Sequence, residues 1–216
     1  MYEINQTLMI KANTKNIKSI NESQTRAAYT NIDVEFERDF CVYDLYDFIS
    51  TLSIIKDPVI DLSNNKFAII SSQDGTKKLK YYETNPDLIT SYFSQEFKLK
   101  NEDVKINVKR TDIKDIMKAT STLSLKYISL VGDGEKIFIK AFNSRKGDNK
   151  ETNSFIIEIG KTNFVFDLIY ESKMLSMIDE DVEFTFARDK KSRLSIINCG
   201  DIVYWVGIDI NSKMEV

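Results

Sequence analysis

Apolar residues recur at every second position through most of the chain, in short runs bounded by polar turns, and that period predicts half-buried strands. LMI, NIKSI, RAAYTNI, VEFERDFCVY, PVIDLS, KFAIISS and KKLKYYE come first; VKINV, LKYISLV, EKIFIKAF, SFIIEIG, FVFDLIY, VEFTFA, LSIIN and IVYWVGI follow. DGT, GDGE, RKGDN and GKTN supply turn chemistry between them. Three stretches change the period. In 44–56, Leu45, Phe48, Ile49, Leu52 and Ile55 share one helical face, with Asp44 as N-cap. In 112–123, Ile113, Ile116, Met117 and Leu123 do the same behind Thr111 or Asp112. A shorter helix over 171–178 is expected to bury Met174, Met177 and Ile178.

Written as elements, the second half reads strand, helix, four strands, helix and three strands. The first half reads four strands, helix and three strands, so the two halves share one order at an offset of about 125 residues, and only an opening strand and helix are missing from the first. An internal duplication of an α+β domain accounts for this. Residues 84–103, TNPDLITSYFSQEFKLKNED, contain Pro86 and suit a linker better than a loop inside a compact domain. The expected division is 1–84 for the shortened first domain, 85–103 for the connector and 104–216 for the complete second domain.

Composition narrows the function classes. Among 216 residues there is no histidine, which removes the commonest general base and metal ligand, and the 7 glycines form no phosphate-binding loop. No enzyme activity, cofactor or metal is therefore expected. Cys41 and Cys199 sit in apolar runs, as small buried hydrophobes do. Asp133, Asp148, Asp167 and the run Asp179-Glu180-Asp181 lack the spacing of a calcium loop and read as turns and solvated charges. No basic leader precedes a long apolar run, and nowhere do about 18 apolar residues follow one another, so no membrane segment is expected. Net charge is −3, yet residues 1–92 hold 10 basic and 13 acidic side chains while the remainder holds 20 of each. A basic surface belongs more naturally to the second half.

Particular residues sharpen the picture. VEFERDFCVYDLYDFISTLSIIKDP, with its Val42-Tyr43-Asp44-Leu45 entry, Phe48 and the Leu52-Ser53 helix end, resembles the strand–helix segment of the sliding clamps of T-even-type bacteriophages. KFAIISSQDGTKKLKYYETNPDL resembles the strands that lead into that family's interdomain connector. The resemblance in element order covers nearly the whole chain; the specific residues cover about a quarter of it, mostly at core positions. It implies duplicated DNA-clamp domains related to proliferating cell nuclear antigen, with antiparallel sheets outside and helices lining one face. It also implies a homotrimer that encircles duplex DNA without sequence preference in the bacterial host cytoplasm. Short peptides of a DNA polymerase and of a clamp loader would dock on it, and late transcription would use it too. The family's first domain is expected to open with an equivalent of residues 104–123, and this chain begins after it.

Three residue sets follow. Lys114, Lys118 and Ser121 project away from the apolar stripe of 112–123, with Arg110, Lys126 and Lys173 as companions; they suit DNA phosphates or, equally on residue grounds, a solvated helix face. Lys78, Lys80 and Tyr82 on strand 77–83, and Ile157 and Glu158 on strand 153–159, are candidates for a head-to-tail subunit interface in which Lys80 meets Glu158, the alternative being lysines that guard a free edge. Leu88, Ile89, Tyr92 and Phe93, with Phe97, form an apolar connector set, either a partner-peptide groove or pins that hold the loop to its sheet. The polar face of 44–56, Tyr46, Asp47, Ser50 and Ser53, is not basic. The competing reading of the whole is a phage structural or host-interaction protein built from β-rich repeats that does not bind DNA.

Overall fold

The computed structural model describes residues 1–94, 97–99, 101, 104–143, 153–189 and 191–215. Asp148 and the rest of the RKGDN turn lie outside them. Two compact units divide the chain, Met1–Gln95 and Glu96–Val216.

In the first unit β1 (Leu8–Ile10) pairs antiparallel with β4 (Phe40–Val42), in the register Leu8 opposite Val42. β2 (Asn16–Ile20) and β3 (Arg26–Asn31) form a hairpin. β5 (Val59–Asp61), β6 (Phe67–Ser71) and β7 (Lys78–Tyr82) make a three-stranded meander. Helix α1 (Leu45–Ser53) starts where Asp44 accepts the Asp47 amide at 2.9 Å. It stops at Ser53, short of residue 56: Ile54 and Ile55 donate back to the Thr51 and Leu52 carbonyls in a tighter turn, and the chain then takes a positive φ at Asp57 before Pro58. Leu45 and Phe48 of α1 and Ile55 beyond it are buried among Leu8, Phe40, Val42 and Ile70, with the Phe48 ring 4.9 Å from Tyr81. Ile49, expected on the buried face, is 51% exposed; it lies to one side of the Leu45–Phe48–Leu52 line, and the core is filled without it.

The second unit repeats this plan with its opening in place. β8 (Val104–Val108) leads into α2 (Arg110–Thr122), then β9 (Tyr127–Asp133), β10 (Lys136–Phe142), β11 (Ser154–Lys161) and β12 (Val165–Glu171). β13 (Val182–Phe186), β14 (Leu194–Cys199), β15 (Ile202–Gly207) and the short β16 (Lys213–Met214) complete it. One sheet runs β11-β10-β9-β12-β16; in the other β13 lies between β8 and β14, and β15 follows β14. The pairings β9 with β12, β10 with β11 and β13-β14-β15 reproduce β1 with β4, β2 with β3 and β5-β6-β7 of the first unit. Across the core of the second unit, Tyr170 Oη and Ser195 Oγ lie 2.6 Å apart, and burial holds the phenol's pKa above its ordinary value.

Two helix expectations are corrected. The helix over 171–178 is a single 3-10 turn, Ser172–Met174, in which Leu175 donates back to Ser172; Leu175 and Ile178 are buried, whereas Met174 and Met177 are only half-buried. In α2, Leu123 is the C-cap and 40% exposed, while Thr120 takes the buried place by returning its hydroxyl to the Ile116 carbonyl at 2.6 Å.

Candidate nucleic-acid interface

α2 owes its position to its apolar stripe. Ile113, Ile116 and Thr120 are buried, and these three and four residue spacings fix which side chains face away. Arg110, Thr111, Lys114, Asp115, Lys118, Ser121 and Thr122 are all exposed, so the outward face carries three cations and one carboxylate. Neither Thr111 nor Asp112 caps the helix. It begins two residues earlier than expected, and the Arg110 amide donates to Asp181 Oδ1 at 2.7 Å from 71 positions along the chain. A carboxylate there also suits the positive end of the helix dipole.

Beyond the helix, Ser124 turns at φ 52, Leu125 donates to Thr120, and the chain enters β9. Lys126 is held by its amide on Asn143 Oδ1 (2.9 Å) and by its carbonyl, which accepts the Ser172 amide (2.8 Å). Lys126 and Lys173 thereby line one recess of about 330 Å³ with Leu125, Tyr127, Glu171 and Ser172. Lys173 Nζ lies 2.9 Å from Glu171 Oε2. Ser121 spends its hydroxyl on the Met117 carbonyl at 3.1 Å.

β7 and β11 are the outer strands of their sheets. On β7, Lys78, Lys80 and Tyr82 are exposed while Leu79 and Tyr81 turn inward. The Lys80 ammonium sits 3.8 Å from the Phe67 ring centroid and 4.9 Å from that of Tyr82. On β11, Ile157 lies opposite the fully buried Ile139 and is half-buried, whereas Ile156 lies opposite Lys140 and is 53% exposed. Glu158 is engaged within the chain, 2.7 Å from Lys136 Nζ.

The connector residues do not converge on one groove. Leu88, 54% exposed, lines a cleft of about 710 Å³ in the first unit with Tyr2, Tyr43, Glu22 and Asp44 among others. Ile89, Tyr92 and Phe93 do not line it. Tyr92 and Phe93 instead lie beneath Lys11 and Lys18, at 5.5 and 5.9 Å from the ring centroids, and Ser91 accepts the Ile20 amide. Phe97 belongs to the second unit, where its carbonyl accepts the Trp205 indole N–H at 3.1 Å. A recess of about 310 Å³ in the second unit has no signature in the sequence. Its floor is Leu168, Ala187, Ile208 and Met214, and Asp189, Arg193, Lys213 and Glu215 rim it; these come from four separated segments, so no local spacing marks them.

Among the described residues no cluster of three or more His, Cys, Asp or Glu could hold a metal ion. Asp133 accepts the Glu135 and Lys136 amides at 2.9 and 2.7 Å, which holds its carboxyl below the usual range and accounts for it as a turn residue. Both cysteines are buried free thiols whose pKa burial pushes up. No helix among the described residues is long and apolar enough to cross a membrane.

No family model matches the chain. A curated relative, the sliding clamp of Vibrio phage KVP40, is 26% identical over 186 residues, which cover 82% of this chain and 80% of that protein. Among solved structures, a PCNA from Thermococcus kodakaraensis superposes with a TM-score of 0.65 at 15% identity, covering 96% of this chain and 92% of that one. A putative DNA polymerase III beta subunit from Eubacterium rectale gives 0.66 at 14% identity; it covers 97% of this chain, which spans 57% of that longer one. The PCNA of A. fulgidus, solved with the C-terminal region of FEN-1 bound, gives 0.65 at 11% identity, covering 98% of this chain and 92% of that one. The fold is that of the DNA clamps, and in sequence the chain is similar to a phage sliding clamp.

Proposed function

We propose that the protein is a sliding clamp: a non-enzymatic subunit that encircles duplex DNA and holds the replicative polymerase to its template in the host cytoplasm. The observation that carries this reading is the exposed cationic face of α2 on a clamp fold. Lysines that meet phosphates attract the duplex through charge and counterion release, read no base, and exchange one phosphate for the next as the ring moves. Similarity to the phage clamp extends the reading to a homotrimer, to polymerase and clamp-loader peptides as partners, and to late transcription. Leu88 with its cleft, and the apolar recess over Met214, are the places for such peptides in the two units.

Head-to-tail closure between β7 of one subunit and β11 of the next needs two free strand edges, and both strands end their sheets. With Glu158 held by Lys136 and Lys80 over Phe67, backbone pairing rather than a Lys80–Glu158 bridge carries that contact.

The test is Lys114→Ala with Lys118→Ala. Fold and oligomeric state are expected to persist, since exposed positions shift stability by less than about 0.5 kcal/mol. Retention on nicked circular DNA should fall, with a salt dependence flatter by up to about two phosphate contacts and no change in sequence preference. Retention equal to wild type across the salt series would leave α2 a solvated helix and favour an assembly protein that does not hold DNA.

A further inference from the structure

We infer that Glu171 is an internal competitor for DNA phosphate, a positioning residue that sets how firmly Lys173 grips the duplex. The inference rests on the DNA-facing reading of the second unit. Lys126 and Lys173 are brought to one recess because the Ser172 amide donates to the Lys126 carbonyl and the Ser172 hydroxyl to the Leu125 carbonyl, so the two chain segments that carry them are held side by side. Two ammonium groups beside one carboxylate leave the recess cationic. The carboxylate is committed to one of them: Glu171 Oε2 and Lys173 Nζ are 2.9 Å apart, with side chains 38% and 74% exposed.

Glu171 is the last residue of β12, opposite Tyr127 in the ladder, and its Cα is thereby fixed. Lys173 sits on the 3-10 turn beyond, at the end of a four-carbon stem. A phosphodiester oxygen reaching the recess is the same kind of acceptor as the carboxylate, and the ammonium must leave one to meet the other. The exposed ion pair is weak, so exchange is easy in both directions. A clamp needs such a contact, attractive enough to hold the duplex and weak enough to be traded at each step. Lys126 has no such carboxylate within its own segment and supplies the steadier part of the attraction.

The experiment is a two-by-two set, wild type, Glu171→Gln, Lys173→Ala and the double variant, each measured for binding to a fluorescent duplex by anisotropy over a salt series. Glu171→Gln keeps the side-chain shape and removes the charge. It is expected to tighten binding by about two- to five-fold at low salt, the worth of an exposed ion pair, and to steepen the salt dependence by up to about one phosphate contact. Lys173→Ala should weaken binding. The gain from Glu171→Gln should vanish in the Lys173→Ala background, because a competitor without its lysine has nothing to withhold. A gain that persists there would show mere removal of a negative charge near DNA and overturn the inference. So would binding by Glu171→Gln equal to or weaker than wild type. If Lys114→Ala with Lys118→Ala weakens binding in the same assay while Glu171→Gln does nothing, only the competitor role falls; if all variants bind as wild type, the DNA-facing reading falls with it.

Discussion

Gly132, the penultimate residue of β9, stands between two partners, Ile137 on β10 and Phe166 on β12. A Cβ there would come 2.4 Å from Cε1 of Phe166 and 2.7 Å from the Phe164 carbonyl oxygen. Phe166 cannot swing aside freely, because its ring packs at 5.2 Å against the fully buried Phe186, and the carbonyl belongs to the main chain. Gly132→Ala should therefore cost about 1–3 kcal/mol, as overpacking does, read as a lower urea midpoint at unchanged slope. A midpoint equal to wild type would show that the strands have room. In the first unit Arg38 works differently. It spans both oxygens of Glu83, at 2.5 and 2.8 Å, and reaches the Leu62 and Asn64 carbonyls, tying the end of the β7 strand to the β5–β6 loop. Nothing in the spacing of Arg38 and Glu83, 45 residues apart, announces that pair.

Among the elements, α2 shows what a local pattern can and cannot reveal. Its buried stripe of Ile113 and Ile116 and its outward Lys114 and Lys118 follow from a 3.6-residue period alone. Its start does not, because the cap is Asp181, a residue that reads in the sequence as part of an acidic run. Asp181→Ala should fray the first turn, with faster amide exchange at Arg110 and a stability loss of about 1 kcal/mol. Unchanged exchange at Arg110 would mean that the bond does not hold the turn. The strands were legible for the same reason as the stripe, since alternation such as that of Val104, Ile106 and Val108 survives into burial. The 171–178 segment carries helical spacing at Met174, Met177 and Ile178 but too few residues to nucleate a helix. Sites assembled from several segments, such as the recess over Leu168 and Met214, carry no periodic mark.

For the whole molecule the decisive question is whether copies join edge to edge. Ile156 probes this more cleanly than Ile157, which faces the buried side of its sheet and would confound assembly with folding. Ile156→Lys adds a cation on the outward face of β11, where the proposed neighbour β7 presents Lys78 and Lys80. Like charges set beside each other across strands oppose pairing. Sedimentation should show wild type at three times the mass of one chain and Ile156→Lys at that of a single folded chain. An Ile156→Lys species that keeps the wild-type mass would move the interface elsewhere.

Trp205 is the only tryptophan of the chain, and its ring lies 5.6 Å from that of Phe97, whose carbonyl it also engages. The molecule is consequently optically lopsided. Light that excites indole alone reports on the second unit and the far end of the connector, while the first unit, which has tyrosines and phenylalanines but no indole, stays dark. Lifting Phe97 away from β15 hydrates the indole and shifts its emission without any label, so the connector's seating on the second unit can be followed while the first unit is left out of view.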